Sequence, residues 1–149
     1  MKSTLIYLDV CVLSRPFDDQ QQLRIRLETD ALNLILSQVK QGRYTLLVAP
    51  AHRREIEAIA DLYERAALQA MVERHGVPVS VDRTVTRQRA EELVAVGFGV
   101  ADAAHVAFAE KSGAAFVSCD DRLLKKRARH VLGIWCGNPV AYCEKENLR

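Results

Sequence analysis

The sequence has little net charge, no closely spaced cysteines and no long apolar run, and each shortage excludes a class of protein. A formal net charge of +2 over 149 residues is too small to indicate nucleic-acid binding by itself, so any such function depends on where the charges lie. The cysteines Cys11, Cys119, Cys136 and Cys143 form no CxxC pair, which argues against a structural zinc site. We therefore expect free thiols in a reducing compartment.

The absence of a long apolar run bears on the location of the protein, and the absence of repeats and linkers bears on its domain number. No run approaches the roughly 18 residues that a membrane span needs. The first apolar run is interrupted by Asp9 and followed by no small-residue cleavage site, so we expect no signal peptide and a cytoplasmic protein. No internal repeat, low-complexity tract or linker is visible, and 149 residues suit one core, so we expect a single domain over 1–149.

The most informative stretch is the run 5–13, which has Asp9 at its centre. Apart from Asp9 and the Tyr7 hydroxyl the run is apolar, as in a strand that is buried on both faces of a parallel sheet. A buried carboxylate is costly unless something pairs with it. At the carboxyl end of a central parallel strand, it lies where open α/β sheets bind their ligands. Asp9 is therefore the first candidate for a functional residue.

Strand-like and helix-like segments alternate along the rest of the chain. The predicted strands are 4–8, 44–48, 77–81, 114–119 and 131–135. The predicted helices run from about 21 to Gly42, from Pro50 onward, and over 62–75, 84–96, 103–111 and 122–129, with a short last helix after Asn138. This alternation predicts an α/β fold, namely a single-domain α/β/α sandwich with a short parallel sheet.

Four acids occupy positions that meet at one edge of such a sheet. Asp9 and Asp120 follow predicted strands, Asp102 is a predicted helix N-cap, and Glu55 lies in the helix after the second strand. At about 4 Å and an effective dielectric of roughly 20, each like-charged pair costs about 4 kcal/mol, so the pocket must bind protons or cations. Oxygen ligands without His or Cys clusters suit Mg²⁺ or Mn²⁺, which can promote phosphodiester cleavage.

Each of these acids also has a simpler interpretation. Asp102 and Asp120 can be ordinary N-caps, and Glu55 can be an exposed helix acid. Glu57 is an alternative to Glu55, although residues two apart on a helix point about 200° away from each other, so only one can face the pocket. Periodicity alone does not establish that the acids meet.

Four motifs strengthen the nuclease interpretation. They are LDVCVL at 8–13, PAHRREI at 50–56, DAAHVA at 102–107 and FVSCDDRLL at 116–124. In order and spacing they resemble the motifs of PIN-domain ribonucleases, and within that family those of the VapC-type toxins of bacterial toxin–antitoxin pairs. The chain departs from the family pattern at Val10 and Cys11, where the family has Thr and Asn. This departure bears on catalytic rate and metal affinity more than on the fold.

The resemblance implies a divalent-metal-dependent endoribonuclease with a PIN-like fold and with Mg²⁺ or Mn²⁺ as cofactor. By position, the catalytic acids would be Asp9, Glu55, Asp102 and Asp120. Of these, Asp9, Asp102 and Asp120 would bind the metal. The resemblance also implies an RNA substrate, a cognate antitoxin as protein partner and a homodimer.

Several polar residues near the motifs are candidates for supporting roles. Ser118 would orient Asp9 or Asp120 through its hydroxyl, whereas Asp121 would either support the site or begin a helix, which is the interpretation that we favour. His105 shares a helix face with Asp102, and we expect it to be packed or hydrogen-bonded rather than to bind a metal. The candidate RNA-binding residues are Arg15, Arg122, Lys125 and Lys126, for which a solvated helix face is the simpler alternative.

Two other functions stay open from the sequence. One is a catalytically silent PIN module that binds RNA or a protein partner, which Val10 and Cys11 favour. The other is a haloacid-dehalogenase-like phosphatase with Asp9 as its nucleophile. That family has a second Asp two residues after the nucleophile, where this chain has Cys11.

Overall fold

A parallel β-sheet forms the centre of the protein. The structure, a computed structural model, describes residues 3–130 and 133–149. The strands within these residues are β1 (Thr4–Leu8), β2 (Tyr44–Val48), β3 (Gly76–Pro78), β4 (Ala115–Val117) and β5 (Cys136–Gly137). They lie in the order β3-β2-β1-β4-β5, and every neighbouring pair is parallel. The apolar strand that ends at Asp9 is therefore the central one.

Helices connect the strands and cover both faces of the sheet. In the described residues they are α1 (Val10–Leu13), α2 (Leu23–Lys40), α3 (Pro50–Glu57), α4 (Leu62–His75), α5 (Arg83–Ala95), α6 (Val100–Ser112), α7 (Asp121–Arg129) and α8 (Pro139–Glu146). This arrangement confirms the predicted α/β/α sandwich with a short parallel sheet. Among the described helices, none combines the length and the apolar character that a membrane crossing requires.

The two faces of β1 belong to two hydrophobic cores, because successive side chains of a strand point to opposite faces. Ile6 and Leu8 pack with apolar residues of α2, α4 and α8. Tyr7 packs on the other face with residues of α5, α6 and α7. Since β1 is held on both faces, packing also fixes the backbone at its carboxyl end, where Asp9 lies.

The edge strand β3 differs from its prediction. The predicted strand 77–81 is observed as Gly76–Pro78, paired with β2 on one side only. Proline has no N–H to donate to a ladder and is tolerated on an edge strand, and one further bond to β2, from the Val79 N–H to the Val48 carbonyl at 3.0 Å, follows it. The strand itself nevertheless ends at Pro78, short of the predicted Val81.

The prediction of a strand over 131–135 is wrong in the part that the structure describes. Val131 and Leu132 lie outside the described residues, and Ile134 and Trp135 precede β5. Only Cys136 and Gly137 pair with β4, which itself has three residues. Two backbone hydrogen bonds join these segments, from the Phe116 N–H to the Trp135 carbonyl at 2.9 Å and from the Ser118 N–H to the Gly137 carbonyl at 3.0 Å.

The helix that carries Asp102 begins earlier than predicted, so the expectation that Asp102 is an N-cap is wrong. α6 starts at Val100 with Gly99 as its N-cap, and Asp102 lies in the first turn. Gly97, with φ at +108°, provides the sharp turn that lets the helix begin there, a conformation that favours glycine. The Asp102 side chain is therefore free of capping and available to the sheet edge.

Candidate metal centre

The carboxyl ends of β1 and β4 are tied together at one edge of the sheet. The Asp9 N–H donates a hydrogen bond of 2.9 Å to the Val117 carbonyl. Beyond this bond each of the two segments continues into a helix, α1 after Asp9 and α7 after Asp120. The Asp9 residue is 5% exposed, so its carboxylate lies in a nearly closed environment. The central position that the sequence predicts for Asp9 is therefore also a buried one.

The Ser118 hydroxyl connects Asp9 to the start of α7. It donates to Asp9 Oδ2 at 2.8 Å and accepts from the Asp120 N–H at 3.0 Å. Asp120 in turn caps α7, because its Oδ1 accepts the N–H groups of Arg122 and Leu123 at 3.0 and 3.2 Å. Both carboxylates are thus held from one side, and in the described residues Asp9 Oδ1 and Asp120 Oδ2 accept no hydrogen bond.

Glu55 is held at the same edge by a hydrogen-bonded chain that starts in the core. The Tyr7 hydroxyl and His105 Nδ1 are 2.6 Å apart, and His105 Nε2 lies 2.8 Å from Glu55 Oε1. Because a carboxylate only accepts, Nε2 carries a proton and donates it to Glu55. His105 is fully buried, and its other nitrogen, Nδ1, is engaged by the Tyr7 hydroxyl. Its lone pair is therefore not available to a metal.

His52 fixes the start of α3 against the end of β1. Its Nδ1 accepts the Ala49 N–H at 2.9 Å, as the third residue of a helix does in a capping box. The other nitrogen, Nε2, donates to the Leu8 carbonyl at 2.7 Å. The ring also packs on Tyr7, with centroids 4.4 Å apart. His52 therefore positions the backbone on both sides of the site without facing it.

Burial and mutual repulsion both raise the pKa of carboxylates at this edge. Burial raises the pKa of Asp9, although His105 and the Ser118 hydrogen bond partly offset this effect. Burial and the charges of Asp9 and Asp120 raise the pKa of the half-buried Asp102. The acids at this edge thus share one electrostatic environment in which negative charge is poorly compensated.

No lysine or arginine accompanies the acids at this edge, and their one basic contact among the described residues is that of Glu55 with His105 at 2.8 Å. Glu28, Asp121 and Glu110 each pair with an arginine at 3.0 Å or less. Among the described residues, no Lys or Arg lies within ion-pair distance of the edge acids, which are Asp9, Glu55, Asp102 and Asp120. Uncompensated carboxylates that are partly buried call for another cation.

In the part of the chain that the structure describes, Asp9, Glu55 and His105 form a group of possible metal ligands, with one ligand atom of each within 4.8 Å of the others. This group could hold a metal ion. Asp102 and Asp120 stand outside it. Because His105 is engaged through both nitrogens, the donors that fit a metal are carboxylate oxygens, which suit a hard divalent cation. The residues present are therefore compatible with the cation that the PIN resemblance implies.

Solved structures match the fold of this chain, whereas no family model and no curated protein matches its sequence. A crystal structure of FitAcB from Neisseria gonorrhoeae is 15% identical over 90% of this chain and 97% of that chain, with a TM-score of 0.53. A structure of FitAB bound to a DNA fragment is 17% identical over 91% and 95%, with a TM-score of 0.53. A crystal structure of VapBC2 from Rickettsia felis, bound to a DNA fragment from its promoter, is 14% identical over 91% and 98%, with a TM-score of 0.56.

The chain has a PIN-like fold. These matches confirm the fold that the resemblance implied. In the PIN-like sheet of this protein, the edge acids lie at the carboxyl end of the central strand pair, the usual ligand site of open parallel sheets.

Asp121 lies outside the edge acids, although it is adjacent to Asp120. It is the first residue of α7 and is exposed, and Arg24 holds it through two hydrogen bonds of 2.7 and 2.9 Å. The Arg24 guanidinium lowers the pKa of the Asp121 carboxyl. Asp121 thus begins a helix and ties it to α2. Glu57, the alternative to Glu55, is exposed at the end of α3.

The predicted RNA-binding residues are not equally free. Arg15 pairs with the buried Glu28 at 3.0 Å, so its charge is already engaged. Lys126 donates to the carbonyl of Gly97 at 2.7 Å. Both Arg122 and Lys125 are exposed on α7. Of this set, Arg122 and Lys125 keep the most freedom to contact a phosphate.

Tyr7 and His52 were missed in the sequence, and weak signals for both exist. Tyr7 is the one residue of the buried part of β1 (6–8) that has a polar side-chain group, so its hydroxyl needs a buried partner. His52 is the third residue of a helix that begins with Pro50, which is a position for a side chain that accepts the N-cap N–H. Neither signal identifies the partner, because the Tyr7–His105 contact spans 98 residues of sequence.

Replacing Ser118 with Ala should weaken Mn²⁺ binding by about 10- to 100-fold, the usual effect of removing a hydrogen bond to a metal ligand. The substitution frees Asp9 Oδ2 and the Asp120 N–H together. Calorimetric titration with Mn²⁺ measures the effect. Ser112→Ala is a matched control, since the Ser112 hydroxyl is buried and finds no hydrogen-bond partner within residues 3–130 and 133–149. Ser112 is the last residue of α6, at the opposite end of the helix from Asp102. Equal affinity in both variants would contradict the role of Ser118.

The Asp121→Asn variant should bind Mn²⁺ as the unmodified protein does, because Asp121 faces Arg24 rather than the edge acids. The neighbouring Asp120→Asn variant should bind it more weakly. The same titration compares the two. Weaker binding in Asp121→Asn would instead assign Asp121 to the metal centre.

Proposed function

We propose that this protein is a divalent-metal-dependent endoribonuclease. The observation that supports this most is a set of acids that share one sheet edge with no described Lys or Arg among them, where burial raises the pKa of Asp9 and, together with the neighbouring charges, that of Asp102. In proteins, such carboxylate clusters hold Mg²⁺ or Mn²⁺ in sites for phosphoryl chemistry. The PIN-like fold agrees with this function but does not by itself imply it.

The side chains would divide the work as follows. Asp9, Asp102 and Asp120 hold the cation, and Glu55 completes the acidic wall beside Asp9. When bound, a divalent cation supplies an activated water and stabilises the oxygens of the phosphodiester that is cleaved.

The surrounding residues would keep these carboxylates in place. Ser118 orients Asp9 and ties it to the Asp120 backbone. The buried Tyr7–His105 pair anchors Glu55, because His105 Nε2 donates a hydrogen bond of 2.8 Å to Glu55 Oε1. A site fixed in this way needs little rearrangement when cation and substrate arrive.

We further propose that the protein is the toxin of a toxin–antitoxin pair and acts in the cytoplasm, with RNA as substrate. The proteins in the matched structures are FitAB and VapBC complexes, and the sequence motifs resemble those of VapC-type toxins. A cognate antitoxin and a homodimer belong to this proposal.

A catalytically silent PIN module is the second candidate. Two observations favour it. Asp102 and Asp120 stand outside the tight Asp9, Glu55 and His105 group. Cys11 adds a thiol where the family has an amide, 3.5 Å from the Ser118 hydroxyl.

A cleavage assay distinguishes these candidates. Structured and unstructured RNA are incubated with the purified protein in Mg²⁺, in Mn²⁺ and in EDTA, and the products are separated on a denaturing gel. We expect internal cleavage in either metal and none in EDTA. Intact RNA in all three conditions would reject the nuclease and leave the binding module.

A further inference from the structure

A groove between α3, α5 and α6 lies beside the edge acids and has a volume of about 230 Å³. Its floor is apolar and consists of Ala51, Ala90, Ala104 and Phe108. Phe108 is partly exposed, so one part of its ring is open to the groove. The floor is therefore suited to a flat apolar surface such as a nucleobase.

Three arginines form the rim of this groove. Arg54, Arg83 and Arg87 line it, and no acid does. Among the described residues, Arg54 and Arg83 have no ion-pair partner, and Arg87 has only Glu91 at 3.3 Å, in a pair whose side chains are 82% and 67% exposed. Such an exposed pair is weak and can exchange for a phosphate. The rim therefore concentrates positive charge close to the negatively charged edge acids.

The groove and the edge acids are built from the same two helices. On α3, Ala51 precedes Glu55 by one turn and shares its face. On α6, Ala104 and Phe108 share one face, which is turned around the helix from Asp102. The groove therefore adjoins the acids through α3, and its α6 floor extends about 9 Å along the helix axis from the level of Asp102, within reach of the flanking nucleotides.

We propose that this groove, called here the arginine groove (Arg54, Arg83, Arg87 and their apolar floor), binds single-stranded RNA next to the cleaved phosphodiester. A base lies on Phe108 and the alanines, and the arginines contact the adjoining phosphates. Positive rims with an aromatic floor are the usual means of holding single strands without sequence preference. The inference rests on the proposed nuclease function and deepens it by naming the path of the substrate.

The test measures binding without cleavage. Fluorescence anisotropy follows a labelled single-stranded RNA in EDTA, at several salt concentrations, with the double variant Arg83→Gln/Arg87→Gln. We expect affinity to fall about tenfold and the slope of log affinity against log salt to fall by about 1.4, since each phosphate contact in a single strand contributes about 0.7. Phe108→Leu, which keeps an apolar floor, should lose about fivefold through weaker stacking.

The matched control is Arg43→Gln/Arg74→Gln, which removes the same charge at the opposite edge of the sheet, before β2 and β3. It should bind RNA as the unmodified protein does. Equal losses in the two double variants would overturn the proposal, because they would indicate general charge attraction. So would equally tight binding of a poly-glutamate peptide of the same charge, which would assign the groove to an acidic protein segment.

Cleavage assays of the same variants separate this inference from the proposed function. Metal-dependent cleavage together with unchanged RNA binding by Arg83→Gln/Arg87→Gln would overturn the arginine groove and keep the nuclease. Weakened RNA binding by this variant, in a protein that cleaves no RNA, would keep the groove and overturn the nuclease. If the unmodified protein binds no single-stranded RNA, the groove proposal is wrong.

Discussion

Replacing Asp9 with Asn should abolish metal-dependent RNA cleavage, with a loss of about a thousandfold or more if the carboxylate holds the cation that carries the reaction. Asn keeps the volume of the side chain and can still accept the Ser118 hydroxyl at Oδ1. The change therefore removes the charge at the centre of the cluster and little else. The rate of product formation in Mn²⁺ measures the effect.

The matched control for this variant is Asp121→Asn, which makes the same chemical change at an exposed acid in the neighbouring α7 segment. It should retain cleavage. Asp9→Asn with normal activity would reject the assignment of the edge acids, and loss of activity in both variants would show that the assay reports general charge rather than the site.

The stability of the Asp9→Asn variant should rise or stay equal in the absence of metal. Burial raises the pKa of Asp9, so its ionised form is less favourable in the folded than in the unfolded protein. A raised pKa of an acid lowers stability above the folded-state pKa and has no effect below the unfolded-state pKa. Thermal unfolding in EDTA at neutral pH tests the sign. Marked destabilisation would mean that the carboxylate is structural.

His52 is expected to have the largest effect on stability. Replacing it with Leu leaves the Ala49 N–H and the Leu8 carbonyl without their partners, at about 1–3 kcal/mol for each buried group. His52→Gln can keep the capping-box bond and reach the same carbonyl, so it should cost much less. Urea unfolding at pH 7 measures both variants. Equal losses would show that ring packing on Tyr7, rather than hydrogen bonding, is what His52 contributes.

The lowered pKa of His52 should also make the stability of the protein depend on pH. Burial, with smaller contributions from the charges of His105 and Arg53, lowers the pKa of His52 from 6.5 to about 3. The unfolded protein therefore binds one more proton between these values, and this group removes stability as pH falls through that window. Between pH 7 and pH 5 the loss is about 2 kcal/mol. His52→Gln should lack this part of the acid sensitivity, and an unchanged pH profile in that variant would contradict the assignment.

Local sequence signals predicted the parts of the fold that local chemistry decides. β1 and β2 are observed at the predicted 4–8 and 44–48. Both segments consist mostly of apolar and β-forming residues, a composition that favours a strand over a helix. The sequence also identified Asp9 as the residue that directly follows the central strand. These predictions needed no knowledge of tertiary contacts.

Where the prediction failed, a glycine or a tertiary contact decided the outcome. Asp102 is favoured as an N-cap by residue type, but the conformation of Gly97 allows α6 to begin three residues before the predicted Ala103. The ion pair between Arg24 and Asp121 joins residues 97 positions apart, and no local pattern indicates it. The roles of charged residues therefore depended on the assembled fold more than the strands did.

The two departures from the PIN motif also have structural consequences. Val10 packs in the core beside β1, where a polar side chain would need a partner. Cys11 Sγ accepts the Cys119 N–H at 3.3 Å, so the thiol takes a structural contact next to the site. Contact with Cys119 and burial raise the pKa of the Cys11 thiol. The thiol thus stays neutral and adds no charge to the edge acids.

Calorimetric titration of Mn²⁺ into the unmodified protein, and into Asp9→Asn and Asp120→Asn, tests the central claim most directly. The account predicts saturable binding in the unmodified protein and a large loss of affinity in both variants, because carboxylates from different strand ends share one cation. The same weak, nonsaturable heat in all three proteins, or full binding in both variants, would contradict it.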